Sequence, residues 1–328
     1  MYSVLDKDRD VRNFRSWYYE NLGLRGVEQR KALDLLLKDD DIDLDKLKTF
    51  CLQFGLPAIR RPIVWKLLLG ILPRHQQSHK FIKIQQSEQV EHLLSTLKII
   101  RKLSEKNDSV PSQIVQMYLL NEGEMGFMQP SEVKNQELER RLKVLTSIAK
   151  LMCEIFEDIE DCFWATTKFF KLQKTFDVQL KSLVELFEQR LTAEDPDLCR
   201  YLCSIGAWKQ LPCQRWFESF FAEDLNDLSL ERIWDRVIAG SCTILAYVAV
   251  AILVVFRQIL ISKKSSEPVL RFLAQIPQES CETIIAKAMD LNIKYAVAPV
   301  SPVTKTTGVH NGNGKEFSNA RSSAPAPT

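Results

Sequence analysis

One stretch of this sequence limits the possible folds more than any other. From Cys242 to Phe256 it reads CTILAYVAVAILVVF, apolar or nearly so for 15 residues before Arg257 and Gln258 interrupt it. A membrane-spanning helix needs about 20 such residues, and shorter runs are more often buried core helices. A helix that is apolar on every side must be surrounded by protein. Cys242 to Phe256 is therefore predicted to be the central helix of a globular core, opened by Gly240 and Ser241 and closed by the charges of Lys263 and Lys264. No transmembrane segment is expected.

The wrapping elements read as helices too. Leu230, Ile233, Trp234, Val237 and Ile238 fall at i, i+3, i+4, i+7 and i+8, one face of a helix. Leu180, Leu183, Val184, Phe187 and Leu191 repeat the pattern, as do Val90, Leu93, Leu94, Leu97 and Ile100. Sustained two-residue alternation is hard to find. No proline lies between Pro130 and Pro196, or between Pro212 and Pro268, which leaves room for several helices in each interval. Pro62 stands where the first turn of a helix tolerates it, with Leu67 to Gly70 ending that helix. The pattern predicts an all-α fold of about a dozen helices joined by short turns.

Two stretches depart from it. Asn121 to Gln136, NEGEMGFMQPSEVKNQ, is polar and turn-rich and reads as a loop between helical halves. Ala298 to Thr328 is rich in Pro, Ser, Thr, Gly and Asn, the composition of a disordered segment. The expected organisation is a flexible start over 1–12, one domain over 13–296 with its loop around 121–136, and a disordered tail over 297–328.

Charge and cysteine content remove several function classes. Lys and Arg total 44 against 42 Asp and Glu, a formal net charge of +2. The tail alone supplies that excess through Lys305, Lys315 and Arg321 against Glu316, so the body is near neutral and no nucleic-acid partner is expected. Eight cysteines include no C-x-x-C pair, and most sit among Leu, Ile and Phe as buried thiols of a reducing compartment do. Cys199 and Cys203 share a helix face, where burial is preferred over redox chemistry or metal binding. His75 and His79 have an i, i+4 spacing, but no nearby carboxylate or Cys completes a site, and a solvated helix end is the better reading. No metal or cofactor is expected. Met1 to Asp10, MYSVLDKDRD, is charged and lacks an apolar signal core, which points to a cytoplasmic location.

The motifs carry more. Arg61, Trp65, Leu68, Leu69 and Gly70 form R-x-x-x-W-x-x-L-L-G within RRPIVWKLLLG. Alone, that is a buried helix with Trp65, Leu68 and Leu69 on one face and Arg61 one turn above the indole. A second block, WFESFFAEDLNDLSLERIWDRVIAGSCTILAYVAVAIL, runs from Trp216 to Leu253 and contains Trp234 and Asp235. A third, FEDIEDCFWATTKFF, spans Phe156 to Phe170. In this order and rough spacing the three resemble the TBC (Tre2–Bub2–Cdc16) domain, the two-lobed all-helical fold of GTPase-activating proteins for Rab GTPases. Four segments are similar to one member in particular: Asn13 to Asp40, Val64 to His79, Arg232 to Cys242 and Ile276 to Leu291. That resemblance implies a non-catalytic third subunit of the tuberous sclerosis complex. Such a subunit is held by the coiled coil of hamartin beside tuberin, the activator directed at Rheb upstream of the TOR kinase. It also implies a place at the surface of lysosomes or cytoplasmic vesicles.

Activators of this family act with two side chains. An Arg in I-x-x-D-x-x-R neutralises charge developing on the transferred phosphoryl group, and a Gln in Y-x-Q orients the attacking water. None of the seven tyrosines is followed two places later by Gln. Only Asp6 and Asp197 are followed three places later by Arg, and Ser3 and Glu194 stand where Ile belongs. Ile42-x-x-Asp45-x-x-Lys48 is a near miss that ends in Lys. Counting back from Phe163 and Trp164 in the family pattern puts the glutamine segment near Arg141 to Leu145, with Lys143 close to the Gln position. The arginine segment falls near Leu97 to Leu103, where Arg101 is the candidate substitute finger and a solvated Arg is the alternative. An arginine finger is worth roughly 10³ to 10⁵ in rate, or about 4–7 kcal/mol. Arg61, Trp65, Leu68, Leu69, Gly70, Trp234 and Asp235 read as architecture. Phe14, Trp17, Tyr18 and Tyr19 are candidate anchors for a partner, with packing on their own core the alternative. The activator reading, a Rab GTPase-activating protein with a non-standard finger, stays open, as does an adaptor that binds a GTPase such as Rab or Rheb without accelerating it.

Overall fold

The structure, a computed structural model, describes residues 24–103, 109–125 and 132–296. The expected anchors Phe14, Trp17, Tyr18 and Tyr19, the flexible start and the tail lie outside the described residues. Among the described residues the fold is all-α: fifteen α-helices, four single-turn 3-10 helices and no strand, with a single isolated bridge between Asp41 and His75.

Three short helices come first: α1 (Leu24–Leu36), α2 (Leu44–Gln53) and α3 (Arg61–Leu68). Asp43 caps α2 by accepting from the amides of Asp45 and Lys46 at 3.2 and 3.0 Å. Four helices then pack on one another: α4 (His79–Ile99), α5 (Val110–Asn121), α6 (Glu132–Ile155) and α7 (Ile159–Phe176). The proline-free interval after Pro130 holds α6, α7 and then α8 (Leu180–Glu194). α9 (Pro196–Ser204), α10 (Cys213–Glu218) and α11 (Asp227–Ile238) follow. α12 (Thr243–Val255), α13 (Arg257–Ser262), α14 (Ser266–Leu273) and α15 (Cys281–Ala296) complete the described chain.

The apolar run takes the place its composition demands. All ten residues from Ile244 to Leu253 are buried, with α15 and α8 as the principal neighbours of α12. Each fully buried Val, Leu or Ile contributes roughly 1.5–3 kcal/mol relative to exposure, so this helix anchors the second half of the fold. α11 links the two halves. It packs on α12 and α15 and also on α2 and α3. Stacking of Trp234 on Phe169 at 4.3 Å ties α11 to α7.

The boundaries of the central helix differ from the expected ones. Gly240 and Ser241 do not open α12; they close α11. Gly240 has φ +103°, its amide donates to Val237 O at 2.9 Å, and the Ser241 amide donates to Arg236 O at 2.9 Å, the paired bonds of a left-handed C-terminal cap. Cys242 precedes α12 without a side-chain cap. Lys263 and Lys264 lie beyond α13, because the chain turns at Phe256 and starts a separate helix. The loop expected around 121–136 is also shorter. α5 runs to Asn121 and α6 begins at Glu132, so Glu132 to Gln136 are helical, and α5 and α6 pack against each other rather than dividing the fold.

Candidate functional site

Arg61, Trp65, Trp234 and Asp235 meet inside the protein. Pro62 in the first turn of α3 needs no amide partner there, and Gly70 ends the helix with φ +67°. The Gly70 amide donates to Leu67 O at 3.1 Å and the Ile71 amide to Lys66 O at 2.8 Å. A side chain in place of Gly70 would be strained by that backbone, which explains why this motif closes on glycine. Leu68 and Leu69 are half-buried in the last turn.

α11 presents the complementary groups. Glu231 and Asp235, four residues apart, share the face toward α3. Arg61 Nε and Nη2 donate to Asp235 Oδ1 and Oδ2 at 2.9 and 3.1 Å. Its Nη1 donates to Glu231 Oε2 at 2.8 Å, and Nη2 also donates to Leu56 O at 2.9 Å. Trp65 Nε1 donates to Asp235 Oδ1 at 2.8 Å, and Trp234 Nε1 to Phe220 O at 3.1 Å. Asp235 is 0% exposed, so its charge is stable only because the guanidinium fork and the indole surround it. The buried Cys51 thiol beside this network is pushed up to about 12, by burial first and then by the Asp235 charge. Glu231 escaped the sequence reading, although its i, i+4 spacing from Asp235 was the available signal. The cluster faces inward and offers no group to a ligand.

The finger segments look different. Arg101 is exposed just past α4 in a left-handed conformation, φ +54°, and makes no side-chain bond among the described residues. Lys143 is exposed on α6 and pairs with Glu223 Oε1 at 3.3 Å. Arg141 pairs with Glu124 Oε2 at 2.5 Å, and Lys174 with the other oxygen of Glu124 at 3.6 Å. One place does bring an arginine to glutamines. Arg140 pairs with the Glu218 carboxylate, Gln214 Nε2 donates to Glu218 Oε1 at 2.7 Å, and Gln173 donates to the Glu218 carbonyl. Arg140 and Gln214 are thus occupied by the Glu218 carboxylate and Gln173 by the backbone carbonyl of the same residue. Near by, the Asp224 carboxyl is raised to about 6, by burial above all and against the pull of Arg215.

The histidine pair is split by the fold. His79 opens α4 with Nε2 2.8 Å from Pro73 O, and His75 Nδ1 lies 3.2 Å from Asp41 Oδ1, a carboxylate that sequence proximity did not reveal. No group of three His, Cys, Asp or Glu side chains among the described residues is arranged to hold a metal. No helix among them is long and apolar enough to cross a membrane.

Comparison with known proteins gives this helical framework its class. The Rab-GTPase-TBC domain model matches residues 143–261, from α6 into α13. The Ypt/Rab-GAP domain of Gyp1p superposes with a TM-score of 0.58 at 16% identity, covering 82% of this chain and 99% of that one. The Chlamydomonas flagellar RabGAP TBC domain superposes with a TM-score of 0.53 at 14% identity, covering 87% and 95%. The chain belongs to the TBC domain family. Within that family it is similar to TBC1 domain family member 7 of Homo sapiens, 42% identical over 88% of this chain and 97% of the relative. The proteins of that name from Xenopus tropicalis and Danio rerio are 37% and 36% identical, over 89% and 90% of this chain.

Proposed function

We propose that this chain is a non-catalytic TBC-domain scaffold that docks on a hamartin-like coiled coil and, through it, stabilises a complex with a tuberin-like activator that restrains Rheb and TOR kinase signalling. It works in the cytoplasm at the surface of lysosomes or vesicles and takes no cofactor. The observation that carries the reading is the state of the expected finger segments: Lys143 is paired with Glu223, and Arg101 is exposed with no side-chain bond among the described residues. The Arg61–Asp235 network keeps the family's architecture while contributing nothing to a nucleotide.

On this reading the partner helix docks along α4. Phe81, Ile84, Glu88, His92, Ser95 and Ile99 follow one another at helical spacing along its outer side. Phe81, Ile84 and Ile99 are 64%, 48% and 80% exposed. Apolar residues at both ends of a 21-residue helix suit a partner helix laid alongside it. Affinity purification of the full chain should recover hamartin and tuberin homologues at near-stoichiometric levels. Phe81→Asp combined with Ile84→Asp should abolish that recovery while leaving the melting temperature within about 2 °C, as surface substitutions do.

A second reading is favoured by the convergence of Arg140 and Gln214 on the Glu218 carboxylate, with Gln173 on its backbone carbonyl: a Rab GTPase activator whose fingers are held shut by Glu218. Single-turnover GTP hydrolysis across Rab and Rheb proteins separates the two. Stimulation above about tenfold that disappears in Arg140→Ala or Arg101→Ala overturns the scaffold assignment.

A further inference from the structure

Three of the described tryptophans, Trp65, Trp216 and Trp234, are 0% exposed. A buried indole N–H calls for an acceptor, and two of the three have one: Trp65 donates to Asp235 and Trp234 to the Phe220 carbonyl. Trp216 Nε1 has none among the described residues. Two more buried atoms in the same turn share that condition, Arg215 Nε and Asp224 Oδ2. Arg215 precedes Trp216 on α10, and the turn into α11 brings Asp224 back to them. The Phe221 amide donates to Trp216 O at 3.0 Å, and the Asp224 amide to Phe221 O at 3.0 Å. Arg215 Nη2 reaches Asp224 Oδ1 at 2.5 Å. Burial raises the Asp224 carboxyl, while Arg215 and the Trp216 N–H pull it down, so the indole lies beside that carboxylate without bonding to it.

Arg61 shows what Arg215 does not do. Arg61 grips Asp235 side-on, with Nε on one oxygen and Nη2 on the other. Arg215 meets Asp224 through the Nη2 prong alone, which leaves the neighbouring Nε–H and the second carboxylate oxygen without partners on the same pair. Together with the Trp216 N–H these make two donors and one acceptor. Water matches that set, since it accepts two hydrogen bonds and donates, and a buried water makes about three in all. A cation would face two N–H donors, and an anion would face the Asp224 carboxylate. We propose that a single water molecule is built into this turn, accepting from Arg215 Nε and Trp216 Nε1 and donating to Asp224 Oδ2. It fastens α10 to a backbone under strain, because Phe220 and Phe221 are left-handed at φ +48° and +62°. The Phe220 carbonyl in that stretch is the acceptor used by Trp234, so the water and the stacked core hold one piece of chain from two sides.

The test is water-selective NOE and ROE spectroscopy of the full chain labelled with nitrogen-15 at tryptophan, the indole signals being assigned through Trp→Phe variants at 65, 216 and 234. Trp65 and Trp234 are internal controls, equally buried but supplied with protein acceptors. The expected result is a cross-peak between water and the Trp216 indole proton, with NOE and ROE of opposite sign, the mark of a water that tumbles with the protein. It should exceed any such peak at Trp65 or Trp234 by at least about fivefold. A crystal structure of the parent chain should show a water within about 3.2 Å of Arg215 Nε, Trp216 Nε1 and Asp224 Oδ2. The proposal is overturned by a Trp216 indole as silent as the two controls, or by NOE and ROE of equal sign, which report exchange with solvent. It is equally overturned by a crystal structure in which Arg215 grips Asp224 with both prongs and Trp216 Nε1 bonds to the carboxylate directly.

Discussion

Arg61 and Arg140 each reach across to a carboxylate on another helix, yet the two contacts belong to different physics. Arg61 is buried and fills its fork with Asp235, Glu231 and the Leu56 carbonyl, while Trp65 supplies Asp235 with a further donor. Arg140 is half-exposed, and water stands ready to replace Glu218. Removing one partner in the first place strands a charge where nothing solvates it. Doing so in the second merely hydrates both ends. The family's sequence motif marks the first contact because it is costly to break, and it says nothing of the second.

Breaking the inner network should have the largest effect. Asp235→Ala leaves the Arg61 guanidinium and the Trp65 N–H without their main acceptor, and chemical denaturation should show a loss of about 3–5 kcal/mol. A loss below 1 kcal/mol would mean that the network relaxes around the missing carboxylate and that the comparison with Arg140 is false.

Asp224 tests the boundary between the two regimes. Its folded pKa, about 6, lies above the ordinary carboxylate value, so folding favours its protonated form. This group's contribution is therefore fully present at low pH and is lost as pH rises through 6. Asp224→Asn should remove that slope between pH 4 and 7 and raise stability at pH 7 by up to about 2–3 kcal/mol. Glu194 has the opposite sign. Burial raises its carboxyl, but Lys294, the Tyr295 hydroxyl and Lys287 outweigh that and lower it, so its contribution is present above the ordinary carboxylate value and is lost as pH falls through the lowered one. Urea titrations of Asp224→Asn and Glu194→Gln across pH should diverge in slope accordingly.

The smallest effects belong to the outer surface. Arg101→Gly relieves a left-handed backbone that favours glycine, and thermal melts should show a gain of about 1 kcal/mol. Arg140→Ala and Lys143→Ala should each change stability by no more than about 1 kcal/mol. A larger loss in either would move the Glu218 and Glu223 contacts into the class of the Arg61 network.

Sequence legibility followed the same divide. Trp65, Trp234 and the run from Ile244 to Leu253 were readable because burial of large apolar groups leaves a periodic trace. The ends of α12 were not, since a glycine beside a serine serves equally to finish one helix or to begin the next. Only the carbonyls that Gly240 and Ser241 bind decide between these uses. The partners of Arg61 were half legible: Asp235 stood in a recognised block, while Glu231 needed the helix face to connect it. The carboxylates around Arg140, Arg141 and Lys143 come from residues 124, 218 and 223, and no local pattern joins them to α6.

The position of α12 also bears on how the chain is made. Synthesis delivers Ile244 to Leu253 well before α15, its principal neighbour, which starts only at Cys281. Until that last helix leaves the ribosome, one side of the most water-averse segment has no cover. A nascent chain halted between the two would be a target for chaperones, and truncation ahead of Cys281 should yield aggregate rather than a smaller soluble fold.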